Sequence, residues 1–269
     1  MLKLLPLIFL IFLAIYSAFA ASVFFFADRL VFLPPPASYD HHPTRDPHAI
    51  NILTGDANVI AARYFHHPAG YYTILYSHGN ASDIGTVSPI LETLYAQGFS
   101  VLAYDYPGYG SSSGKASEAG AYNAIAATYS YLNDTLNVPP EKIILHGQSL
   151  GGGPSTYLAA QLAAKTPVAG LILESTFSSI FQVITRFSIL PFDKFPTIQR
   201  INKINCPLLI IHGTHDQTIS LSHAQTLFAS AQEPKQLVAI AEADHNNLLW
   251  VDRTTYLNAI QTFADSLQK

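Results

Sequence analysis

A serine flanked by glycines lies near the middle of the chain, in the pentapeptide 147–151, which reads Gly-Gln-Ser-Leu-Gly. An apolar, β-rich run precedes it at 142–146, and a helix-like segment follows from residue 155. In a strand–turn–helix setting, such a turn holds the serine backbone in a strained conformation and points the hydroxyl away from the sheet. Only residues without bulk fit two places on either side, which explains Gly147 and Gly151. The pattern predicts a nucleophile elbow at Ser149, and the alternative is an ordinary glycine-rich loop.

A serine hydroxyl is a poor nucleophile until a base takes its proton, and histidine is the usual base. Of the eleven histidines, five lie at or after the ends of predicted strands: His78, His146, His212, His215 and His245. Triads built on an elbow of this kind follow the chain order serine, acid, histidine. Only a late histidine satisfies that order, so His245 is the predicted base.

The acid of such a triad must lie between Ser149 and His245 and follow a strand. Asp216 meets both conditions after the predicted strand 208–211, in a turn that contains a glycine. Glu174, after the predicted strand 171–173, is the rival. A carboxylate at a strand end can also hydrogen-bond loop amides without any catalytic role. We therefore predict Asp216 as the acid.

Other classes of chemistry find less support in the sequence. The net charge is −4 and there is no stripe of lysine or arginine, so we predict no nucleic-acid partner. The adjacent pairs His41-His42 and His66-His67 would point to opposite sides of an extended chain, and no cluster has ligand spacing. We predict neither a metal nor another cofactor. The single cysteine, Cys206, is expected to be a packed thiol.

Strand-like and helical patterns alternate from residue 73 onward. The predicted strands are 73–77, 101–104, 143–145, 171–173, 208–211 and 237–240. The predicted helices are 89–97, with Ser88 as its cap, 119–136, 155–164, 223–231 and 251–267. A further pair of strands is expected within 49–65, around a turn at 54–58. This pattern predicts an α/β fold with a mostly parallel central sheet and helices on both faces. The carboxyl ends of its strands would then bring the candidate residues together.

Residues 4–27 carry no charge and are flanked by Lys3 and by Asp28-Arg29. About 20 such residues span a bilayer as a helix. The small-x-small sequence at 18–20 offers a signal-peptide cleavage site, but the apolar run continues through 23–26. We therefore favour an uncleaved single-pass anchor over secretion after cleavage. Lys3 favours a cytoplasmic N-terminus and an extracytoplasmic catalytic domain, although Arg29 on the other side weakens this orientation.

The chain divides into three parts on these patterns. Residues 1–27 are the anchor or signal segment, 28–48 are a proline-rich lead-in, and 49–269 are a single α/β domain. Within the domain, 175–205 interrupts the alternation and is apolar and rich in phenylalanine, which predicts a small lid. Its apolar side chains form either an acyl-accepting surface or internal lid packing: Phe177, Phe181, Ile184 and Phe187.

With these motifs in place, the sequence resembles serine hydrolases of the alpha/beta-hydrolase fold. More narrowly, it resembles the Bem-type membrane-anchored hydrolases and the alpha/beta-hydrolase domain-containing 17 depalmitoylases. The resemblance runs from about residue 30 to the C-terminus and rests on the segments 32–35, 77–81, 104–110, 147–151, 211–216 and 243–246. It implies Ser149, Asp216 and His245 as the triad, in agreement with the assignment made from the residues.

In this fold two backbone N–H groups form the oxyanion hole, and one of them belongs to the residue after the nucleophile. That residue is Leu150. The other donor is expected in the loop after the strand 73–77, where Asn80 is the first choice and Ala81 the second. The alternative for this loop is a tight turn capped by His78. A preorganised donor of this kind contributes about 10²–10³ in rate.

The N-terminus departs from the depalmitoylase pattern. Those enzymes anchor through a cysteine-rich, lipidated segment in the cytoplasm, whereas this chain has no cysteine before Cys206 and has an apolar span instead. The expectation is therefore a membrane-anchored hydrolase of small acyl-ester or thioester substrates that works through an acyl-enzyme. Two alternatives stay open: an amide or peptide hydrolase on the same fold, and a non-catalytic, membrane-tethered interaction module.

Overall fold

The computed structural model describes residues 4–42, 44–185 and 190–268. Its centre is a sheet of eight strands, numbered β1 to β8 in chain order. The strands are Ala49–Leu53, Val59–Phe65, Thr73–Ser77, Ser100–Tyr104, Ile143–Gln148, Gly170–Glu174, Leu208–Gly213 and Lys235–Ile240. All six strands predicted from residue 73 onward are present, with ends that differ by a few residues at most.

The strands are arranged across the sheet in the order β1-β2-β4-β3-β5-β6-β7-β8. β2 pairs antiparallel with β1 and with β4, and every other neighbouring pair is parallel. The predicted strand pair within 49–65 is thus confirmed as a hairpin, in which Leu53 lies opposite Val59. The mostly parallel sheet is also confirmed. Because β3 and β5 to β8 all run in one direction, their carboxyl ends share one edge.

Helices cover both faces of the sheet, and α1 precedes it. They are α1 Leu4–Val31, α2 Ile84–Ala96, α3 Glu118–Ser130, α4 Gly152–Leu162, α5 Ile180–Thr185, α6 Leu221–Ser230, α7 Leu248–Val251 and α8 Arg253–Ser266. Successive strand residues point to opposite faces. Leu75 and Leu145 accordingly pack with α3, α4 and α6, while Ile74 and Ile144 pack with α2 and α8. This double burial explains the continuous apolar runs of the parallel strands.

The second helix begins earlier than the sequence predicted. We expected Ser88 to cap a helix at Pro89, but α2 begins at Ile84 and contains Pro89 in its interior. Asp83 is the true cap: its carboxylate accepts from the Thr86 N–H at 2.9 Å, and the Thr86 hydroxyl accepts from the Asp83 N–H at 2.8 Å. Ser88 instead donates to the Ile84 carbonyl one turn back. The reciprocal hydrogen bonds between Asp83 and Thr86 form a capping box, and this box rather than Pro89 determines where α2 begins.

Two predicted helices end or break within their expected ranges. The helix expected over 119–136 is α3, which ends at Ser130 and continues as a wider π turn, Tyr131–Thr135. The last one, expected over 251–267, is divided into α7 and α8. Asp252 lies between them, and its carboxylate accepts from the Thr255 N–H at 2.9 Å. This cap starts a new helix at the point where α7 ends.

The first helix, α1, has 28 residues, so it continues past the boundary expected at residue 27. Its segment Pro6–Val31 has a mean hydropathy of 2.5 and is long and apolar enough to cross a membrane, a test that a signal sequence also passes. Most of its side chains are exposed. Ala27, Val31 and the following Phe32 are buried, so the carboxyl end of α1 docks onto the α/β domain.

The apolar insert at 175–205 contains the short helix α5 and two single 3₁₀ turns, Thr197–Gln199 and Ile201–Lys203. Phe195 is fully buried and belongs to the core on the α4 side of the sheet. The insert therefore packs onto the domain at its carboxyl end. Its role as a lid stays a prediction.

Candidate active site

Ser149 lies at the turn between β5 and α4 with φ at 50°, in the left-handed region. A non-glycine residue there is strained and needs support from its surroundings. Part of that support is the Thr176 hydroxyl, which donates to the Ser149 carbonyl at 2.8 Å. The flanking glycines allow the tight turn, since a Cβ on Gly151 would overlap the Ser77 carbonyl and one on Gly147 would overlap the backbone of Gly151. The local structure is that of the predicted elbow.

Ser149, His245 and Asp216 form a hydrogen-bonded chain at the carboxyl edge of the sheet. His245 Nε2 lies 2.9 Å from Ser149 Oγ, and His245 Nδ1 lies 2.7 Å from Asp216 Oδ2. An ionised carboxylate only accepts, so Nδ1 carries the proton and Nε2 is left to accept from the serine hydroxyl. All three residues are buried, with exposed fractions of 9%, 7% and 7% for Ser149, His245 and Asp216. This is the arrangement in which a histidine can take the serine proton.

The carboxylate of Asp216 is held by several donors. Oδ1 accepts from the backbone N–H groups of Thr218 at 2.9 Å and Ile219 at 2.7 Å. Desolvation raises the pKa of Asp216, but the hydrogen bonds from His212, His245 and the Ile219 N–H outweigh it and hold the pKa well below its usual range. Asp216 is therefore ionised at neutral pH and oriented toward the imidazole.

His212 supports Asp216 in a way that the sequence analysis missed. Its Nε2 donates to the Ile219 carbonyl at 2.7 Å and lies 3.3 Å from Asp216 Oδ2. His212 is fully buried at the end of β7, four residues before the acid. From the sequence, His212 is a candidate for the base only. The signal that could have identified it is its placement at the strand end immediately before the turn that carries the acid.

The rival acid, Glu174, belongs to a different network. Its Oε2 accepts from the Tyr256 hydroxyl at 2.7 Å and lies 2.9 Å from His146 Nε2. The Gln148 amide lies 3.4 Å from Oε1 and also accepts from the Tyr76 hydroxyl at 3.1 Å. These bonds direct the Glu174 carboxylate to side chains of β5 and α8 rather than to His245. The geometry thus favours Asp216.

The loop after β3 lies beside the elbow. A Cβ on Gly79 would be 3.4 Å from the Ser149 Cβ, so the backbone of this loop contacts the nucleophile. His78 is buried, with its Nε2 3.2 Å from Asp105 Oδ1, while its carbonyl accepts from the Tyr106 hydroxyl at 2.7 Å. Asp105 Oδ1 also accepts from the Ile84 N–H at 2.9 Å. The loop is therefore held rigidly next to Ser149.

The two expected oxyanion donors are both close to the nucleophile. Leu150 follows Ser149 in the 3₁₀ turn Ser149–Gly151, where the first N–H groups of a helical segment have no intrahelical acceptor. Asn80 contributes to the cleft that contains Ser149, and its side chain is occupied: Nδ2 donates to the Val31 carbonyl at 2.6 Å, and Oδ1 accepts from the Leu33 N–H at 3.0 Å. Their action as oxyanion donors stays a prediction.

Ser149 and His245 open onto a cleft of about 390 Å³. Most of its side chains are apolar. The lining consists of Leu30, Val31, Leu33, Gly79, Asn80, Ala81, Ser149, Leu150, Phe177, Ile180, Val183, Thr218, Ile219, His245 and Asn246. Concave, mostly apolar sites with a few polar groups are typical of small-molecule binding.

Comparison with known proteins identifies the family. The chain is 36% identical to alpha/beta hydrolase domain-containing protein 17B of Xenopus laevis over 250 residues, which cover 82% of this chain and 85% of that protein. The human protein of the same name is 35% identical over the same length and coverage. This chain belongs to the alpha/beta hydrolase family of these proteins. A family model described as serine aminopeptidase, S33, also matches residues 71–193 of this hydrolase.

Solved structures show the same fold for this hydrolase. An esterase of Pyrococcus furiosus superposes with a TM-score of 0.70 at 18% identity, covering 87% of this chain and 97% of that one. An alpha-beta serine hydrolase homologue from Coxiella burnetii gives a TM-score of 0.64 at 15% identity, covering 80% and 97%. The alpha/beta-hydrolase fold expected from the sequence is thus confirmed.

A second, larger cavity of about 570 Å³ adjoins the cleft of the hydrolase. The two share Val183 and Thr218. The other side chains of this cavity are mainly polar, among them Ser178, Gln182 and His223. Ser149 and His245 line the smaller, apolar cleft and not this cavity.

The four apolar residues expected either at an acyl-accepting surface or in internal lid packing have different positions. Phe177 is buried and lines the Ser149 cleft. Phe181 lies elsewhere: it lines a separate cavity and its ring packs edge-on against Phe192, with centroids 5.9 Å apart. Ile184 is part of α5, and Phe187 lies outside the described residues. Ile180 and Val183 of α5 line the cleft instead.

Within residues 4–42, 44–185 and 190–268, no three histidine, cysteine, aspartate or glutamate side chains group as metal ligands. The absence of a cofactor stays a prediction. Cys206 is partly exposed at the residue level, and burial of its thiol raises its pKa to about 12. It is therefore a protonated, packed thiol at neutral pH.

Proposed function

We propose that this hydrolase cleaves carboxylic ester or thioester bonds through a covalent acyl-enzyme on Ser149, at a membrane to which α1 anchors it. The observation that carries the proposal is the chain of hydrogen bonds from Ser149 through His245 to Asp216. This chain starts at a strained elbow and faces an apolar cleft. Nucleophile, base and orienting acid within hydrogen-bond reach are the signature of nucleophilic catalysis.

In the first half of the reaction, Ser149 Oγ attacks the carbonyl carbon while His245 Nε2 accepts the hydroxyl proton. Asp216 holds the imidazole in the required tautomer and stabilises the imidazolium. The backbone N–H groups of Asn80 and Leu150 donate to the oxyanion. The tetrahedral intermediate then collapses, and the alcohol or thiol leaves with the proton from His245.

In the second half, a water molecule attacks the acyl-enzyme with His245 as base. Collapse of the second tetrahedral intermediate releases the carboxylic acid and returns the proton to Ser149. The apolar side chains of Phe177, Ile180 and Ile219 in the cleft support an apolar acyl group as the part of the substrate that is bound.

Labelling with a fluorophosphonate probe tests the nucleophile. The wild-type protein should be labelled on Ser149 and lose esterase activity, whereas Ser149→Ala should not be labelled. Ser130→Ala, an exposed serine on α3, is the matched control and should behave as wild type. Persistent labelling of the Ser149→Ala protein would exclude Ser149 as the nucleophile.

An amide or peptide hydrolase is the second candidate, favoured by the match to the serine aminopeptidase family model over residues 71–193. The same triad serves both reactions. Comparison of kcat/KM for p-nitrophenyl butyrate and alanine p-nitroanilide separates them, and we expect the ester to be preferred. Equal or better cleavage of the anilide would favour the amide hydrolase. A purified protein with neither activity nor labelling would favour the non-catalytic interaction module.

We also infer that α1 stays attached as a single-pass anchor with the catalytic domain outside the cytoplasm. Supporting this, the buried Ala27 and Val31 tie the end of α1 to the domain. The mass of the N-terminal peptide from the membrane fraction tests the anchor, since cleavage after Ala20 would produce a chain that starts at Ala21. A reporter that is active only outside the cytoplasm, fused after Lys269, tests the orientation. A reporter without activity would indicate that the catalytic domain lies in the cytoplasm.

A further inference from the structure

We propose that the last turn of α1 forms part of the acyl-binding site, so that the hydrolase acts on long-chain acyl esters resident in the membrane that α1 spans. This inference rests on the proposed function and specifies its substrate class. It assigns Leu30 and Leu33 as determinants of acyl-chain selectivity.

The first support is the shared lining of the cleft. Leu30, Val31 and Leu33 line the same cleft as Ser149 and His245. Val31 is buried, whereas Leu30 is 69% exposed and Leu33 is 58% exposed. Two large apolar side chains thus stand uncovered at the rim of the site, where a bound acyl chain would cover them.

The second support is the rigid attachment of the helix end to the site. Asn80, in the loop beside the nucleophile, bonds the Val31 carbonyl and the Leu33 N–H. Phe32, which lies between Val31 and Leu33 in the sequence, is buried. The centroid of its ring is 5.9 Å from that of Phe195 and 6.3 Å from that of Tyr109. The rim leucines are therefore fixed in place relative to Ser149.

An ion pair also connects the helix to the insert. Lys194 Nζ lies 2.9 Å from Asp28 Oδ1, and the Phe24 and Phe192 rings pack edge-on with centroids 5.3 Å apart. Both contacts join the end of α1 to residues 192–194 near the cleft. The helix and the insert thus border the site together.

The position of the rim along the helix matches the membrane interface. Phe24, Phe25 and Phe26 are exposed and suit the hydrocarbon layer. Leu30 follows Phe26 by four residues, which is about 6 Å along a helix. The polar interface of a bilayer is about 5–8 Å thick on each side. The rim then lies at the depth where the ester groups of membrane lipids lie, and a substrate reaches Ser149 with its acyl tail still shielded from water.

Chain-length selectivity tests the assignment. The full-length protein is reconstituted in phosphatidylcholine vesicles and assayed with p-nitrophenyl butyrate and with p-nitrophenyl palmitate dissolved in the bilayer. The double variant Leu30→Gln/Leu33→Gln should lower the palmitate-to-butyrate ratio of kcat/KM by about tenfold or more, because a long chain loses apolar contact at the rim. Leu53→Gln is the matched control, since Leu53 is also 69% exposed but lies on β1, and it should leave the ratio unchanged.

Surface dilution tests the origin of the substrate. When more phosphatidylcholine is added at constant total palmitate ester, the rate should fall with the mole fraction of ester in the bilayer. A rate that follows the total concentration instead, or an unchanged ratio in the double variant, would overturn the inference. Parallel assays with a lipid ester and with a palmitoyl thioester peptide show which membrane molecule carries the chain. A wild-type protein inactive on both butyrate and palmitate would instead contradict the proposed function.

Discussion

The side-chain amide of Asn80 donates to the carbonyl of Val31 over 2.6 Å, and so the loop beside the nucleophile is joined to the last turn of α1. The Asn80 oxygen accepts from the N–H of Leu33 on the next stretch of chain. One side chain therefore pairs the backbone groups at the helix end and also sets the distance between α1 and Ser149. A disturbance of this contact should affect folding and activity together.

Asn80→Ala should lower the free energy of unfolding by about 1–3 kcal/mol, because it leaves backbone polar groups of Val31 and Leu33 without this partner. The backbone N–H of residue 80 remains, so the expected oxyanion donor is kept. Thermal unfolding measures the loss. Asn51→Ala is the control, since Asn51 is exposed and bonds only His41 through its side-chain oxygen. An equal melting temperature for the two variants would contradict the role of Asn80.

Asp216→Asn should lower kcat by up to about 10⁴, the value known for the same change in a serine protease triad, because an amide favours the wrong histidine tautomer. The measurement is kcat on a soluble ester such as p-nitrophenyl butyrate. Glu174→Gln should cost less, since Glu174 bonds His146 and Tyr256 rather than His245. A larger loss for Glu174→Gln than for Asp216→Asn would make Glu174 the acid.

Asp216 should also make stability depend on pH. Its pKa is depressed in the folded protein, so the folded state holds the proton less tightly than the unfolded state. The carboxylate therefore stabilises the fold above the unfolded pKa of about 3.9, and this contribution is lost as the pH falls below that value. The gap in melting temperature between wild type and Asp216→Asn should narrow from about pH 6 to pH 3. The exposed Asp265→Asn serves as the control, and a constant gap for Asp216→Asn would contradict the linkage.

His212→Leu should lower kcat by about tenfold to a hundredfold with little change in KM, because loss of its hydrogen bonds lets Asp216 and His245 shift. His212→Gln keeps an N–H donor and should restore part of the activity. A merely structural role would lower the amount of folded protein and leave kcat per folded molecule unchanged. Active-site titration with a fluorophosphonate makes that distinction.

Cys206 should resist alkylation in the folded protein. Burial raises its thiol pKa to about 12, against about 8.5 for a free cysteine, and the thiolate is the reactive form. At pH 8 iodoacetamide should therefore react at least about 10³-fold more slowly with the native chain than with the chain in urea. Mass spectrometry of the alkylated peptide measures both rates. Rapid native alkylation with loss of activity would place the thiol near the substrate.

The sequence was sufficient to select residues that the fold brings together. Ser149, Asp216 and His245 were chosen from local patterns and chain order, and they lie within hydrogen-bond distance of one another. This worked because parallel strands deliver their following loops to one edge. The predicted start of α2 at residue 89 was wrong because Ser88 was expected to be the cap, whereas the Asp83–Thr86 capping box begins the helix at Ile84.

Contacts between segments that are far apart in the sequence could not be predicted from local patterns. Thr176 supports Ser149 through a hydrogen bond between segments 27 residues apart in the sequence, which no local pattern encodes. The same holds for Leu30, Val31 and Leu33, which were expected to belong to a proline-rich lead-in but line the cleft. Phe181 was expected either at an acyl-accepting surface or in lid packing, and it lines another cavity with its ring packed against Phe192.

The crowding at the elbow restricts how this enzyme can diversify. Side chains at Gly147 or Gly151 would collide with backbone atoms, which cannot move aside as a flexible side chain can. Substitutions in the turn would therefore disrupt the backbone conformation of Ser149 and abolish activity, rather than change the substrate preference. Relatives with different substrates are thus expected to differ at exposed positions of the cleft rim, such as Leu30 and Leu33, and to keep the glycines of the catalytic turn.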